Sequence, residues 1–258
     1  MLRSPAVAEC RVGCCGWTEA QAKYVKTFEA IELQTTFYQP PADRVAIRWK
    51  SQAPAEFRFC MKAWQLITHT PASPTYRRLK GGIADSEKDL YGSFRRTEQV
   101  ALAWQRTREI AKIIDAKAIV FQCPASFSPT RQNIRNLQLF FDEIDRDDRM
   151  FAWEPRGEEW TDQLVREICV ASGLVHCVDP FVRHATYGES LYWRLHGRDG
   201  YRYRYSESDL AQLSSQLHAN SGLPGPHYIM FNNMSSREDA IRFSARLRSQ
   251  PVVADQMI

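Results

Sequence analysis

The chain has 258 residues, 44% of them hydrophobic and 25% charged, with a formal net charge of +4. That is ordinary for a soluble globular protein, and the length buries a sizeable core without a disulfide or metal staple. The composition argues against a disordered chain and a disulfide scaffold, and so mild a positive charge does not by itself mark a nucleic-acid binder. No apolar run approaches the ~18 residues of a membrane span.

The seven cysteines, Cys10, Cys14, Cys15, Cys60, Cys123, Cys169 and Cys177, are odd in number and scattered. That is a poor disulfide framework. The adjacent Cys14 and Cys15 close only a strained ring and have no second CxxC motif beside them, so structural zinc is not expected. No signal-peptide pattern opens the chain, and the expectation is a reduced, cytoplasmic protein.

Short apolar or aromatic runs alternate with amphipathic stretches. RVGCCGW (11–17) precedes a helical EAQAKYVKTF, and AIELQTTF (30–37) precedes ADRVAIRWKSQA. FRFCMKAW (57–64) leads into a polar loop over 65–92 with Pro71, Pro74 and a Gly81–Gly82 pair, then into RRTEQVALAWQRTREIAKII. AKAIVFQCP (116–124) precedes TRQNIRNLQLFFDEI, and MFAWEPR (150–156) precedes WTDQLVREICVASG. LVHCVDPF (174–181) has only a short connection to LYWRLHG (191–197), and SESDLAQLSSQLHAN follows. PHYIMFNN comes last, before SSREDAIRFSARLRSQ. Ser206 and Ser235, each followed by acids, read as helix N-caps.

Eight strand candidates interleaved with helices predict an α/β fold: a closed eight-stranded parallel (β/α)8 barrel of the TIM type, forming one domain over 1–258. A doubly wound sheet is the alternative, but GCCGW is not its glycine-rich phosphate turn. The 65–92 loop follows the third strand and is expected on the C-terminal face, as a lid.

Side chains alternate along a strand. Parity puts Glu32, Gln34 and Thr36 on one face of the second strand, and pairs Lys62 with Cys60, Gln122 with Val120, Glu154 with Ala152 and Asp179 with Cys177. It likewise pairs Arg194 with His196 and Asn232 with Met230 and Tyr228. The apolar residues of the opposite register meet the helices, so the polar set points inward at the C-terminal mouth, where barrel enzymes carry their chemistry. The competing explanation is a self-paired polar plug in which acids and bases only satisfy one another.

The motifs GCCGW, IELQTTFYQPP, FCMKAWQLITH, FQCPASF, WEPRGEEW, YWRLHGR with YRYSESDL, and YIMFNN resemble, in this order, the YecE-like family, domain of unknown function 72. The resemblance covers nearly the whole chain. It implies a TIM-barrel-like fold and no established activity. Three departures stand out. Cys14 and Cys15 replace a threonine–serine pair, Gln34 and Thr35 replace asparagine and serine, and Gly157 stands where a histidine follows the arginine.

Three functions are weighed. The first is an enzyme, a hydrolase, lyase or isomerase, acting on a small anionic substrate that bears phosphate or carboxylate. Glu154 is its acid or base with a pKa raised by the barrel walls, and His196 is its proton partner. Lys62, Arg156 and Arg194 hold the anion and stabilise developing charge. Glu32, His69, Gln122, Asp179, Asn232, Asn233, Arg202 and Arg204 complete the binding set. The second is a nucleic-acid binder or nuclease, in which Arg198, Arg202 and Arg204 interleave with Tyr201, Tyr203 and Tyr205, extended by Arg77, Arg78 and Lys80. The third is a non-enzymatic scaffold or sensor. Glu32, Glu154, Asp179 and His196 are metal-ligand types, but no HxH or HExxH spacing accompanies them, so neither metal nor cofactor is expected. His176 falls in the outward register, His218 and His227 are expected at the periphery, and Trp17, Phe37 and Tyr38 are expected either as an apolar wall of the mouth or as simple core packing.

Overall fold

In the computed structural model the described residues are 9–249. Residues 1–8 and 250–258, the ends of the expected 1–258 domain, lie outside them. The strands are β1 (Cys10–Cys15), β2 (Ala30–Leu33), β3 (Arg58–Lys62), β4 (Ala118–Gln122), β5 (Met150–Glu154), β6 (Val175–Val178), β7 (Tyr192–Leu195) and β8 (His227–Phe231). They pair in sequence order, all parallel, and β8 returns to β1 through Gly13 opposite Met230, closing the barrel. The predicted fold and its single domain are therefore observed.

The helices are α1 (Gln21–Thr27), α2 (Thr35–Tyr38), α3 (Asp43–Ser51), α4 (Gln65–Thr68), α5 (Glu98–Ile113), α6 (Arg131–Glu143), α7 (Asp162–Ser172), α8 (Glu207–Ala219) and α9 (Ser236–Ser249). Thr97, Thr130 and Thr161 cap α5, α6 and α7 through their side chains, and Ser206 and Asp209 form a reciprocal capping box at α8. Each cap satisfies amide donors that an α-helix leaves free in its first turn. None of the described helices is long and apolar enough to cross a membrane.

Two sequence expectations need correction. The second strand ends at Leu33, and Thr35–Tyr38 turns into a helix. Thr36 Oγ1 reaches both the Leu33 and Lys62 carbonyls at 2.8 Å, which fixes this turn against β3. Residues 65–92 are not plain loop: they hold α4 and two 3-10 turns, Pro74–Arg78 and Asp85–Leu90. Tyr76 ties the segment down by donating to the His69 carbonyl at 2.7 Å.

Parity sorts the core into two layers. Inside the barrel lie small or slender groups such as Ala30, Cys60, Ala118, Val120 and Ala152, with Tyr192, Tyr228 and Met230 filling the lower centre. Outside, Phe59, Phe121, Phe151, Trp153, Trp193 and Phe231 meet the helices. Phe94, Trp104, Phe140 and Phe141 pack edge-on or tilted against Phe121 and Phe151 with ring centroids 4.9–6.3 Å apart. Those geometries suit the aromatic quadrupole. Above the inner layer the inward side chains become mostly polar, with Cys15 among them. The next inward positions are Glu32, Lys62, Gln122, Glu154 and Arg194.

Candidate active site at the barrel mouth

Arg194 is the hub of those positions. Water touches 1% of it, and 0% of Glu32. Its Nε donates to Glu32 Oε1 and Oε2 at 3.2 and 3.0 Å, and its Nη1 donates to Gln122 Oε1 at 3.2 Å and to Glu154 Oε2. Tyr192 donates to Glu32 Oε2 at 2.9 Å, and Gln34 donates to Oε1. A guanidinium from β7 thus bridges carboxylates from β2 and β5. Burial works against the charge on Arg194, but Glu154 and Glu32 outweigh it and raise its pKa well above the usual arginine value.

Lys62, from β3, lies beside this bridge. Its Nζ donates to Gln122 Oε1 at 2.7 Å and sits 3.9 Å from the centre of the Phe37 ring. Among the described residues it has no carboxylate within 4.0 Å. Burial, and then Arg194, pull its pKa down to about 7, against the opposing pull of Glu32 and Glu154.

Glu154 overturns the expected direction. Burial pushes its carboxyl up, but Arg194, Arg156, His196 and Lys62 together hold it down at about 2. It is an ionised carboxylate that accepts from Arg194 on one oxygen and from Arg156 Nε and Nη2 on the other, at 3.3 and 3.0 Å. Arg156 itself is exposed.

His196 follows β7 and is half-buried. Its Nε2 lies 3.8 Å from Glu154 Oε1 and its Nδ1 lies 3.7 Å from Asp179 Oδ2. Asp179 also accepts the His196 backbone N–H at 2.8 Å and the Phe181 N–H at 3.0 Å. The imidazole lies between two anchored carboxylates, with Arg194 Nη1 3.5 Å from its Nε2. Glu154, Arg156, Asp179, Arg183 and His196 line one cavity of about 710 Å³. A cleft of about 810 Å³ between α5 and α6 holds arginines that pair on the spot, Arg96 with Glu143 at 2.7 Å and Arg108 with Asp145.

The structure brings together Glu32, Lys62, Gln122, Glu154, Arg156, Asp179, Arg194 and His196. His69 stands at the edge of the group. It is buried, bonds Thr68 Oγ1 through Nδ1 at 2.8 Å, and meets the Phe37 ring edge-on at 4.9 Å. Burial, with Lys62 and Arg156 adding, holds it neutral with a pKa of about 3.

Asn232 and Asn233 belong instead to a neighbouring cleft of about 360 Å³ with Cys15, Trp17, Tyr201 and Arg237. Asn233 is structural there, since its Nδ2 donates to the Tyr203 carbonyl and Asp239 Oδ2 at 2.8 Å each. Arg202 and Arg204 are exposed and do not line the cavity beside His196. Their loop turns over 198–202 and then runs through 203–206 outside any strand. Tyr203 donates to Asp209 at 2.7 Å, Tyr205 stacks on Phe181 and accepts from the Gly197 N–H, and the arginines are left pointing to water. Gly197 is required where the chain turns out of the barrel, because a Cβ at its φ of +90° would lie 2.2 Å from the Gly200 carbonyl oxygen.

Parity assigned no role to Cys15. Its Sγ lies 4.0 Å from Arg194 Nη2, facing inward while Cys14 packs outward. Burial, and then Glu32, raise its pKa well above the usual thiol value, so it is a neutral wall and not a nucleophile. His227, expected at the periphery, is buried at the start of β8, where its Nδ1 accepts from the Leu191 N–H at 3.3 Å. Gly157 has φ +108°, a backbone region L side chains rarely enter, so the loop after β5 is shaped around glycine.

UPF0759 protein YunF of Bacillus subtilis is 24% identical over 89% of this chain and 90% of its own length. The crystal structure of protein EF0366 from Enterococcus faecalis V583 superposes with a TM-score of 0.71 and 21% identity, covering 93% of this chain and 98% of that one. An AP endonuclease of family 2 from Brucella melitensis shares the barrel at a TM-score of 0.57 and 13% identity, over 93% of this chain and 98% of its own, a likeness of fold alone. Residues 11–256 match the family described as "Protein of unknown function DUF72", and the chain belongs to that family.

Proposed function

We propose that the chain is an enzyme that binds a small phosphate- or carboxylate-bearing molecule at the barrel mouth and moves a proton on it through His196. One arrangement carries this reading: a half-buried imidazole suspended between Glu154 and Asp179, beside the exposed guanidinium of Arg156, all opening on one cavity. The cavity volume falls within the range of small-molecule sites.

Each group has a chemical role. Arg156 places Nε and Nη2 on a single Glu154 oxygen, which leaves Nη1 free among the described residues to meet an anion. His196 exchanges the proton, because an imidazole can accept one on one ring nitrogen and donate one from the other. Asp179 and Glu154 orient the ring and stabilise it when protonated. Glu154 is too acidic to carry a proton itself at neutral pH.

Buried ion pairs such as Glu32–Arg194–Glu154 contribute little net stability compared with apolar packing. Their placement under an open, half-charged rim supports a working site over a mere plug. Calorimetric titration with inorganic phosphate and with glyoxylate tests the reading. Binding of either is expected, and Arg156→Ala should weaken it about tenfold, the scale of one charged hydrogen bond. Absence of binding, or binding indifferent to Arg156→Ala, would remove the anion site.

A further inference from the structure

We propose that Lys62 is an amine nucleophile that forms a Schiff base with an aldehyde or ketone carrying an anionic group. The inference deepens the anion-site reading and rests on it for the anionic part alone.

The geometry is that of an amine left free while everything around it is paired. Arg194 takes the carboxylates of both Glu32 and Glu154, so neither is left for Lys62. The nearest partner of Nζ is a neutral amide oxygen, Gln122 Oε1, which also accepts from Arg194. One N–H on that oxygen leaves the nitrogen lone pair uncommitted once the amine is neutral. Arg194 beside it disfavours a second positive charge. The Phe37 ring favours the ammonium, yet burial together with Arg194 outweighs it and brings the amine to half-protonation near neutral pH. A lysine desolvated next to another cation is the usual way an enzyme activates this nucleophile. Lys62 is 5% exposed, and the Gln122 it bonds is half-buried, so attack requires the carbonyl to approach from the Gln122 side.

The step balances without oxidant or reductant. The lone pair attacks the carbonyl carbon, a C–N bond forms, and the carbonyl π pair moves to oxygen. One amine hydrogen and one further proton pass to that oxygen. It leaves as water while the nitrogen lone pair closes a C=N bond, giving an iminium that keeps the second amine hydrogen. His196 is the half-buried group placed at this mouth to supply the further proton. The iminium then withdraws electrons from the adjacent carbon, which is where a proton-transfer enzyme needs them withdrawn.

The test uses the unmodified protein at pH 7 with glyoxylate and cyanoborohydride, whose hydride fixes any iminium as a stable secondary amine. Peptide mass mapping at short times reads which lysine carries a carboxymethyl group. Roughly one ordinary lysine amine in 2,500 is neutral at this pH. Lys62 should therefore be labelled at least tenfold faster than the exposed Lys26. Labelling of Lys26 with Lys62 untouched overturns the proposal. A parallel run with acetaldehyde, which lacks the carboxylate, separates the two readings. Fast labelling of Lys62 by both aldehydes alike upholds the amine and rejects the anion site. No labelling of Lys62, with glyoxylate binding still lost in Arg156→Ala, rejects the amine and leaves the anion site standing.

Discussion

Arg194 and Arg204 belong to one stretch of chain and meet opposite surroundings. Arg194 is sealed in the barrel and bonded to groups from β2, β4 and β5, whereas Arg204 stands in water on the loop after β7. Both lie in segments that mix arginine with aromatic residues. The difference is the backbone. In β7 alternation is a physical rule that sends every second side chain into the barrel. After Gly197 the chain turns over 198–202 and then runs through 203–206 outside any strand, so alternation there only lets Tyr203 and Tyr205 pack while the arginines face out. A row of arginines in a sequence therefore says little about a site until the strand that aims it has been located.

The largest effect that can break this comparison is on stability. Arg194→Met leaves the Glu32 and Glu154 carboxylates buried without their partner, and a loss of about 3–5 kcal/mol is expected. Arg204→Ala should change stability by no more than about 0.5 kcal/mol. Urea denaturation of both variants reads the contrast. Similar losses in the two would mean that the barrel does not isolate Arg194 from water as described.

Much of this site was legible beforehand, and the reasons it was not all legible are physical. Parity alone aimed Glu32, Lys62, Gln122, Glu154 and Arg194 correctly, because it needs only a regular strand. It failed for Thr36, since β2 ends at Leu33 and helix geometry takes over, although Gln34 still reaches Glu32. It passed over Cys15 because the mouth end of β1, Gly13–Cys14–Cys15, offers no polarity difference to choose a face. The sign of the Glu154 shift was misjudged for another reason. It depends on Arg194, 40 residues away in the chain, and on a contact that only barrel closure makes. Likewise the freedom of Lys62 is a consequence of who else claims the carboxylates, and no local pattern records that.

A smaller effect sharpens the contrast by pH. Lys62 titrates at about 7 when folded, against the ordinary 10.5. Between these values the unfolded chain binds the additional proton. The cost of burying the ammonium is thus present in full below about pH 7 and fades as pH rises toward 10. The charged groups that face it are Glu32 on β2, Glu154 and Arg156 at β5, and Arg194 on β7, with His69 beyond Phe37. Buried thiols and phenols such as Cys60 and Tyr228 are held up by burial and pull total stability the other way at high pH. The useful quantity is therefore a difference. Stability of the wild type minus that of Lys62→Met should rise between pH 7 and 9.5. A flat difference would place Lys62 among ordinary solvated lysines.

The smallest expected effect concerns the exposed loop itself. If Arg202 and Arg204 were a nucleic-acid track, they would add phosphate contacts, and each contact steepens the dependence of log K on log salt by about 0.9. Two arginines supply a slope of about −2, where firm binding at physiological salt takes roughly six to ten contacts. Arg198 does not extend the row, because Asp209 holds it at 2.7 Å. A generic oligonucleotide at about 150 mM salt should therefore bind weakly, and the Arg202→Ala/Arg204→Ala double variant should change that little. Sub-micromolar affinity that collapses in the double variant would reverse the ranking of the two regions. It would make the turn, with the exposed Tyr201 as a stacking face, the working surface, and leave the ionic layer beneath it as its support.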